Sequence, residues 1–184
     1  ELPEYALQPW RVPQEKSWAT SLAVVQKIDG KIQAIAGGLD PSVEEMRAFL
    51  ETTIINDRII VGWNTVFDIG WLVAYGLQDL VMQAKWLDAM LLWRHWEIEP
   101  EYETERHNKK SYGLKSAVAR FLPKFAGYES GVDFHDNSPE ARAKLHKYNQ
   151  RDTVFTLILA KYFWERLEPA QQRAALIESE SLPI

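Results

Sequence analysis

Two short stretches hold the polar residues best spaced for chemistry. In GWNTVFDIGWL, Asn64 and Asp68 stand four residues apart, directly after the apolar run RIIVGW. In HKYNQRDTVFTLI, Tyr148 and Asp152 repeat that spacing, directly before the apolar Val154, Phe155, Leu157 and Ile158. Residues at i and i+4 share one face of a helix. Each pair therefore offers a carboxylate and a polar companion beside a segment that belongs in a core. The plainer readings are an N-cap or first-turn asparagine with a solvated aspartate, and an aspartate paired with a nearby arginine. A carboxylate carried into a core needs a partner or a metal. Taken jointly, two carboxylates on separate helices suit a two-metal phosphoryl-transfer site. Hard carboxylate oxygens bind Mg2+ or Mn2+. Such ions stabilise the attacking and leaving oxygens at phosphorus and generate hydroxide from water. A tyrosine hydroxyl beside them orients that water.

The elements that must position these residues follow from periodicity and turn signals. Residues 1–16 carry three prolines and read as loop. Residues 18–26 and 31–39 read as two strands around the Asp29-Gly30 hairpin signal. Ser42 and Glu45 resemble a capping box opening a helix through Met46, Phe49 and Leu50. Residues 58–61 read as a short buried strand, so the helix from Asn64 onward starts at a strand's carboxyl end, where open α/β sheets build sites. A helix over 86–98 has Asp88 near its start as a first-turn or capping residue. Residues 99–110 are a charged connection. A helix in SYGLKSAVARFLP stops at Pro123, residues 126–138 are polar loop, and a long helix runs over 139–167. Helices packed on a mixed sheet are expected. Only three strands stand out, where such a sheet usually has about five.

Composition limits the alternatives. The chain has 184 residues, 46% hydrophobic and 12% aromatic, enough for one domain with a sizeable core. With no cysteine, a disulfide scaffold, a thiolate zinc site and a cysteine nucleophile are excluded. The four histidines show no zinc-protease spacing. No apolar run reaches about 18 residues, and no leader pattern is visible, so a cytoplasmic, membrane-free setting is expected. The net charge of −5 argues against a non-specific nucleic-acid coat but not against an acidic pocket that holds metal ions. Positive charge clusters at Arg106, Lys109, Lys110, Lys115, Arg120 and Lys124, and again at Arg142, Lys144, Lys147 and Arg151. Either cluster alone also reads as a solvated helix face. Of the eight tryptophans, Trp71, Trp93 and Trp164 sit at core spacing, while Trp10 and Trp18 are candidates for base stacking. A start at Glu1 and an end in SESLPI are expected of a piece of something longer.

NTVFD resembles the Asn-x-x-x-Asp second motif of the DEDD 3′–5′ exonucleases, and YNQRD resembles their Tyr-x-x-x-Asp third motif, which marks the tyrosine subclass. His146 lies six residues before Asp152, one too many for the histidine subclass. The tail ALIESESLPI resembles the start of the link to the polymerase part of family A DNA polymerases of bacteria or phages. The resemblance implies an RNase H-like fold, a mixed five-stranded sheet flanked by helices, over the whole chain. It implies a proofreading exonuclease that uses two divalent ions, Mg2+ or Mn2+, on a single-stranded DNA 3′ end, with a polymerase domain in the same polypeptide. By the resemblance Asp68 and Asp152 are metal ligands and Tyr148 positions the water. Asn64, Leu7 and Phe67 would lie against the substrate end, Leu7 as a wedge against the terminal base.

The family's first motif, Asp-x-Glu on a central strand, is not plainly present. Aligning LQP at 7–9 with the family's Leu-x-Pro sets Glu1 at the aspartate position and Pro3 at the glutamate position. Either the true motif ends at or just before Glu1, making Glu1 a metal ligand and placing the central strand ahead of it, or the motif is lost. Glu4 is a further carboxylate, more simply a solvated one. Two rival functions follow: a catalytically degenerate module that binds DNA or supports a polymerase, and an RNA-trimming nuclease of the same superfamily.

Overall fold

The computed structural model describes residues 21–28, 31–39, 41–97, 112–132, 136 and 138–183, with backbone alone for 21–39. Its class is α/β, mostly helical. Strands β1 (Ser21–Ile28) and β2 (Lys31–Leu39) form an antiparallel hairpin, Ser21 opposite Leu39 and Ile28 opposite Lys31, with an irregularity between Val24 and Val25. Both lie close to their expected places; the turn signal itself falls outside the described residues. Helix α1 (Val43–Ile55) opens with the expected capping box: the Glu45 amide donates to Ser42 Oγ at 3.1 Å, and the Ser42 amide donates to the Glu45 carboxylate at 2.7 Å.

Strand β3 (Ile59–Gly62) leads into α2 (Thr65–Ala74), followed by a short α3 (Gln78–Val81) and β4 (Lys85–Asp88). β3 and β4 pair in parallel, Ile59 with Lys85 through Gly62 with Asp88. The helix expected from residue 86 therefore begins later, as α4 (Ala89–Trp96), and Lys85–Asp88 is strand. The physical reason lies in burial. Ile60 and Trp86 face a core built with Met46, Leu50, Ile69, Leu77 and Val81, while Val61 and Leu87 face another built with Leu92, Trp93, Val118 and Phe163. Alternate residues of a strand point to opposite faces, and a parallel pair buried on both faces reads as a continuous apolar run rather than an alternating one.

Helix α5 (Leu114–Phe121) ends before a 3-10 turn at Pro123–Phe125, as the proline implies. Helix α6 (Pro139–Trp164) is capped by Ser138, whose Oγ accepts from the Ala141 amide at 3.2 Å. It lies against α4, α5, β1, β2 and β3, so hairpin and parallel pair share one helix. Among the described residues the strands form two separate pairs. The expected five-stranded sheet is not seen there, and Glu1, near which the first motif was expected, lies outside the described residues.

The tail is helical as far as Glu180. Helix α7 (Pro169–Glu180) starts with Pro169 at its first turn and packs on β4 and α4. Ala175 and Ser179 are fully buried in that contact. Among the described residues no helix is long and apolar enough to cross a membrane.

Candidate functional site

The carboxyl ends of β3 and β4 meet at Asp88. This side chain is 1% exposed. Its Oδ1 accepts from the Asn64 amide at 3.0 Å and the Met90 amide at 2.8 Å, and its Oδ2 accepts from the Thr65 amide at 2.8 Å. One carboxylate thus caps the first turns of both α2 and α4, satisfying donors that helix ends leave orphaned. The Asp88 amide in turn donates to Ser179 Oγ of α7 at 3.1 Å. Asn64 is the N-cap of α2 in the left-handed conformation, φ 58° and ψ 53°, and its side chain makes no capping bond. Asparagine is among the few residues that enter that region readily. Gly62 is required by close approach: a Cβ there would sit 2.9 Å from Thr65 Oγ1. The expectation of a capping role for Asp88 holds and widens, since it holds a second helix that the sequence did not indicate.

That scaffold presents Asn64, Phe67 and Asp68 together at the exposed start of α2. Phe67 is 43% exposed and edge-on to Trp71, ring centroids 6.3 Å apart. Trp71 is therefore a partly buried neighbour of Phe67 rather than a central core residue, the place that Trp93 takes at 2% exposure. Asp68 has an exposed surface. Protein crowding around its carboxyl, then the nearby Asp88 charge, push it up to about 7. Water at the exposed surface screens both effects, so the net shift is upward but tempered.

Tyr148 and Asp152 lie elsewhere, on the face of α6 that continues into buried Phe155, Leu159 and Phe163. They share one helix face, as the i, i+4 spacing implied, and the Tyr148 hydroxyl hydrogen-bonds Asp152. A second hydroxyl, that of Tyr128, also donates to Asp152 Oδ1. Tyr128 and Tyr148 stack, centroids 5.7 Å apart and 14° between planes, and Lys115 Nζ sits 5.8 Å from the Tyr148 ring centre. Burial raises the Asp152 carboxyl; the two hydroxyls and Lys115 pull against that rise, and Glu129 adds to it. Burial and the Asp152 carboxylate hold both tyrosine hydroxyls protonated, above their ordinary range. His146 is paired with Gln150 at 3.1 Å.

The sequence reading missed Tyr128 and Glu129. They fall in a stretch read only as polar loop, bounded by Gly127 (φ 75°) and Gly131 (φ 81°). Those two glycines were the available signal for a shaped turn. Glu1, Leu7, Glu4, Trp10 and Trp18 lie outside the described residues, as do Arg106, Lys109 and Lys110.

The two divalent ions implied by the resemblance can be tested against the donors present. Asp68, Asp152 and Glu129 are carboxylates, which suit hard cations, and Glu129 Oε2 is buried without a hydrogen-bond partner. Among the described residues no group of three or more Asp, Glu or His side chains could hold a metal ion. Asp88 acts on Asp68, whereas Lys115 and Glu129 act on Asp152. The third expected carboxylate, Glu1, lies outside the described residues. The donor chemistry of these carboxylates suits a divalent cation. No family model, curated protein or solved structure matches this chain.

Proposed function

We propose that this chain is a 3′–5′ exonuclease domain of the tyrosine subclass, the proofreading module of a family A-like DNA polymerase, acting on single-stranded or frayed DNA ends. The observation that carries the reading is the Tyr148–Asp152 pair. A carboxylate joined to a protonated tyrosine hydroxyl on the inward face of a long helix is what a phosphodiester hydrolase of this motif requires. Asp68 and Asp152, with Glu129 beside the latter and a further carboxylate from the N-terminal segment, would hold Mg2+ or Mn2+. Such ions supply charge stabilisation at phosphorus and a hydroxide nucleophile when bound. The chain's own residues do the remainder. The Tyr148 hydroxyl keeps its proton and donates or orients within reach of the reacting water. The exposed Phe67 ring offers a base a stacking surface. The Asn64 backbone, held by Asp88, fixes where the Asn64 side chain meets the strand end.

The test is digestion of a 5′-labelled DNA oligomer with Mn2+. A ladder shortening from the 3′ end, reduced by about 100-fold or more in both Asp152→Ala and Tyr148→Phe, is expected. No cleavage by the parent chain, or equal cleavage by Asp152→Ala, would sink the reading. Faster digestion of a matched RNA oligomer would instead favour the RNA-trimming reading. A degenerate module that binds DNA or supports a polymerase is the second reading. It is favoured by the Tyr128 hydroxyl engaged on Asp152, and oligomer binding without cleavage would establish it.

A further inference from the structure

Beside the Tyr128–Tyr148 stack lies a cleft of about 270 Å3 between the turn at 127–132 and the first half of α6. Tyr128 and Ser130 line one wall, and Lys144, Lys147, Tyr148 and Arg151 line the other. The three cations are spaced by three and four residues, so they form one stripe, about 10 Å long from Lys144 to Arg151. That length is enough for more than one phosphate of an extended strand. All three residues are exposed. Arg151 Nη1 donates to the Tyr128 carbonyl at 3.3 Å, which anchors one cation at the cleft edge. Lys144 and Lys147 make no ion pair among the described residues. Other exposed lysines do: Lys85 pairs with Asp57 and Lys161 with Glu165. In a chain of net charge −5, one wall of the cleft gathers three exposed cations, a local concentration of positive charge beside the Asp152 and Glu129 carboxylates that act on Tyr148.

We propose that this cleft binds the phosphates of a single-stranded nucleic acid, with Lys144 and Lys147 as the mobile phosphate contacts and Arg151 as the anchored one. The direction of the strand, running along α6 toward Tyr148 and Asp152, rests on the exonuclease reading; the binding itself does not.

The test uses the whole 184-residue chain in EDTA, with fluorescence anisotropy of a labelled oligothymidylate across a salt series. In Lys144→Gln/Lys147→Gln, affinity at low salt is expected to fall several-fold. The slope of log affinity against log salt is expected to become shallower by about 1.4, from roughly 0.7 per phosphate contact on a single strand. Lys85→Gln/Lys161→Gln serves as the control and is expected to keep the parent slope. A slope unchanged in the first variant, or equally reduced in the control, overturns the proposal. Equal competition by polyglutamate also overturns it, because the cleft would then take any polyanion. Cleavage with Mn2+ on the same proteins separates the two claims. A shallower slope with no cleavage by the parent chain leaves the cleft and removes the nuclease. Cleavage with an unchanged slope does the reverse.

Discussion

Two aspartates in this molecule are buried or half-buried, Asp88 at the start of α4 and Asp152 midway along α6, and they are satisfied in opposite ways. Asp88 takes three backbone amides from two helices. Asp152 takes the hydroxyls of two tyrosines. Backbone donors cannot leave without unwinding a helix turn, so Asp88 is bound into the architecture. Hydroxyl donors rotate away with a side chain, so Asp152 can exchange its partners for another ligand. What satisfies a buried carboxylate, not how deeply it lies, decides whether its partners can be exchanged.

The largest effect expected from this contrast is on stability. A buried donor left unsatisfied costs about 1–3 kcal/mol, so Asp88→Ala is expected to lower the unfolding free energy by roughly 3–5 kcal/mol. Asp152→Asn, which keeps an acceptor for the tyrosines, is expected to change it by less than about 1 kcal/mol. Urea unfolding of both variants checks the pair, and equal losses would erase the distinction.

Next in size is Gly62, where the two strand ends approach α2. The Cβ of Gly62→Ala would press on the fully buried Thr65, a strain of about 1–3 kcal/mol. No loss in the same urea measurement would mean that the β3–α2 junction is softer than its contacts imply.

Asn64 separates backbone from side-chain roles. Holding alanine in the left-handed region costs about 1 kcal/mol, whereas glycine there is nearly free. Asn64→Ala is therefore expected to be less stable than Asn64→Gly, while both weaken oligomer binding alike if the amide grips the strand. Binding retained in Asn64→Gly would confine this residue to a backbone role.

The smallest effect is a pH dependence at Asp68. Its folded carboxyl is raised above the ordinary value of 3.8, to about 7, so the native state holds the extra proton between those values. Stability from this group is complete below about pH 4 and is lost as pH rises toward 7. Asp68→Asn is expected to be more stabilising at pH 8 than at pH 5, by a small margin because the residue is exposed. A larger gain at pH 5 would reverse the sign of the assigned shift.

Local signals made much of this legible. The capping box at Ser42, the hairpin strands, the proline stop at Pro123 and the i, i+4 pairing of Tyr148 with Asp152 depend on neighbours within a few residues, which a sequence displays. The strand at Lys85–Asp88 did not stand out, because its two faces bury in two different cores and its apolar run merges with the helix that follows. The helix at the tail did not stand out, because α7 is weakly patterned and is held by a contact to β4 that is remote in sequence. Tyr128 was invisible for the same reason: its value lies in reaching Asp152, 24 residues away.

The hydrogen bond from the Asp88 amide to Ser179 gives the molecule a built-in reporter. That one proton is shielded only while α7 is docked on β4, and the carboxylate of the same residue is what holds the start of α2. Its hydrogen–deuterium exchange rate therefore measures, at a single backbone position beside the Asn64 turn, how often the C-terminal helix lifts from β4.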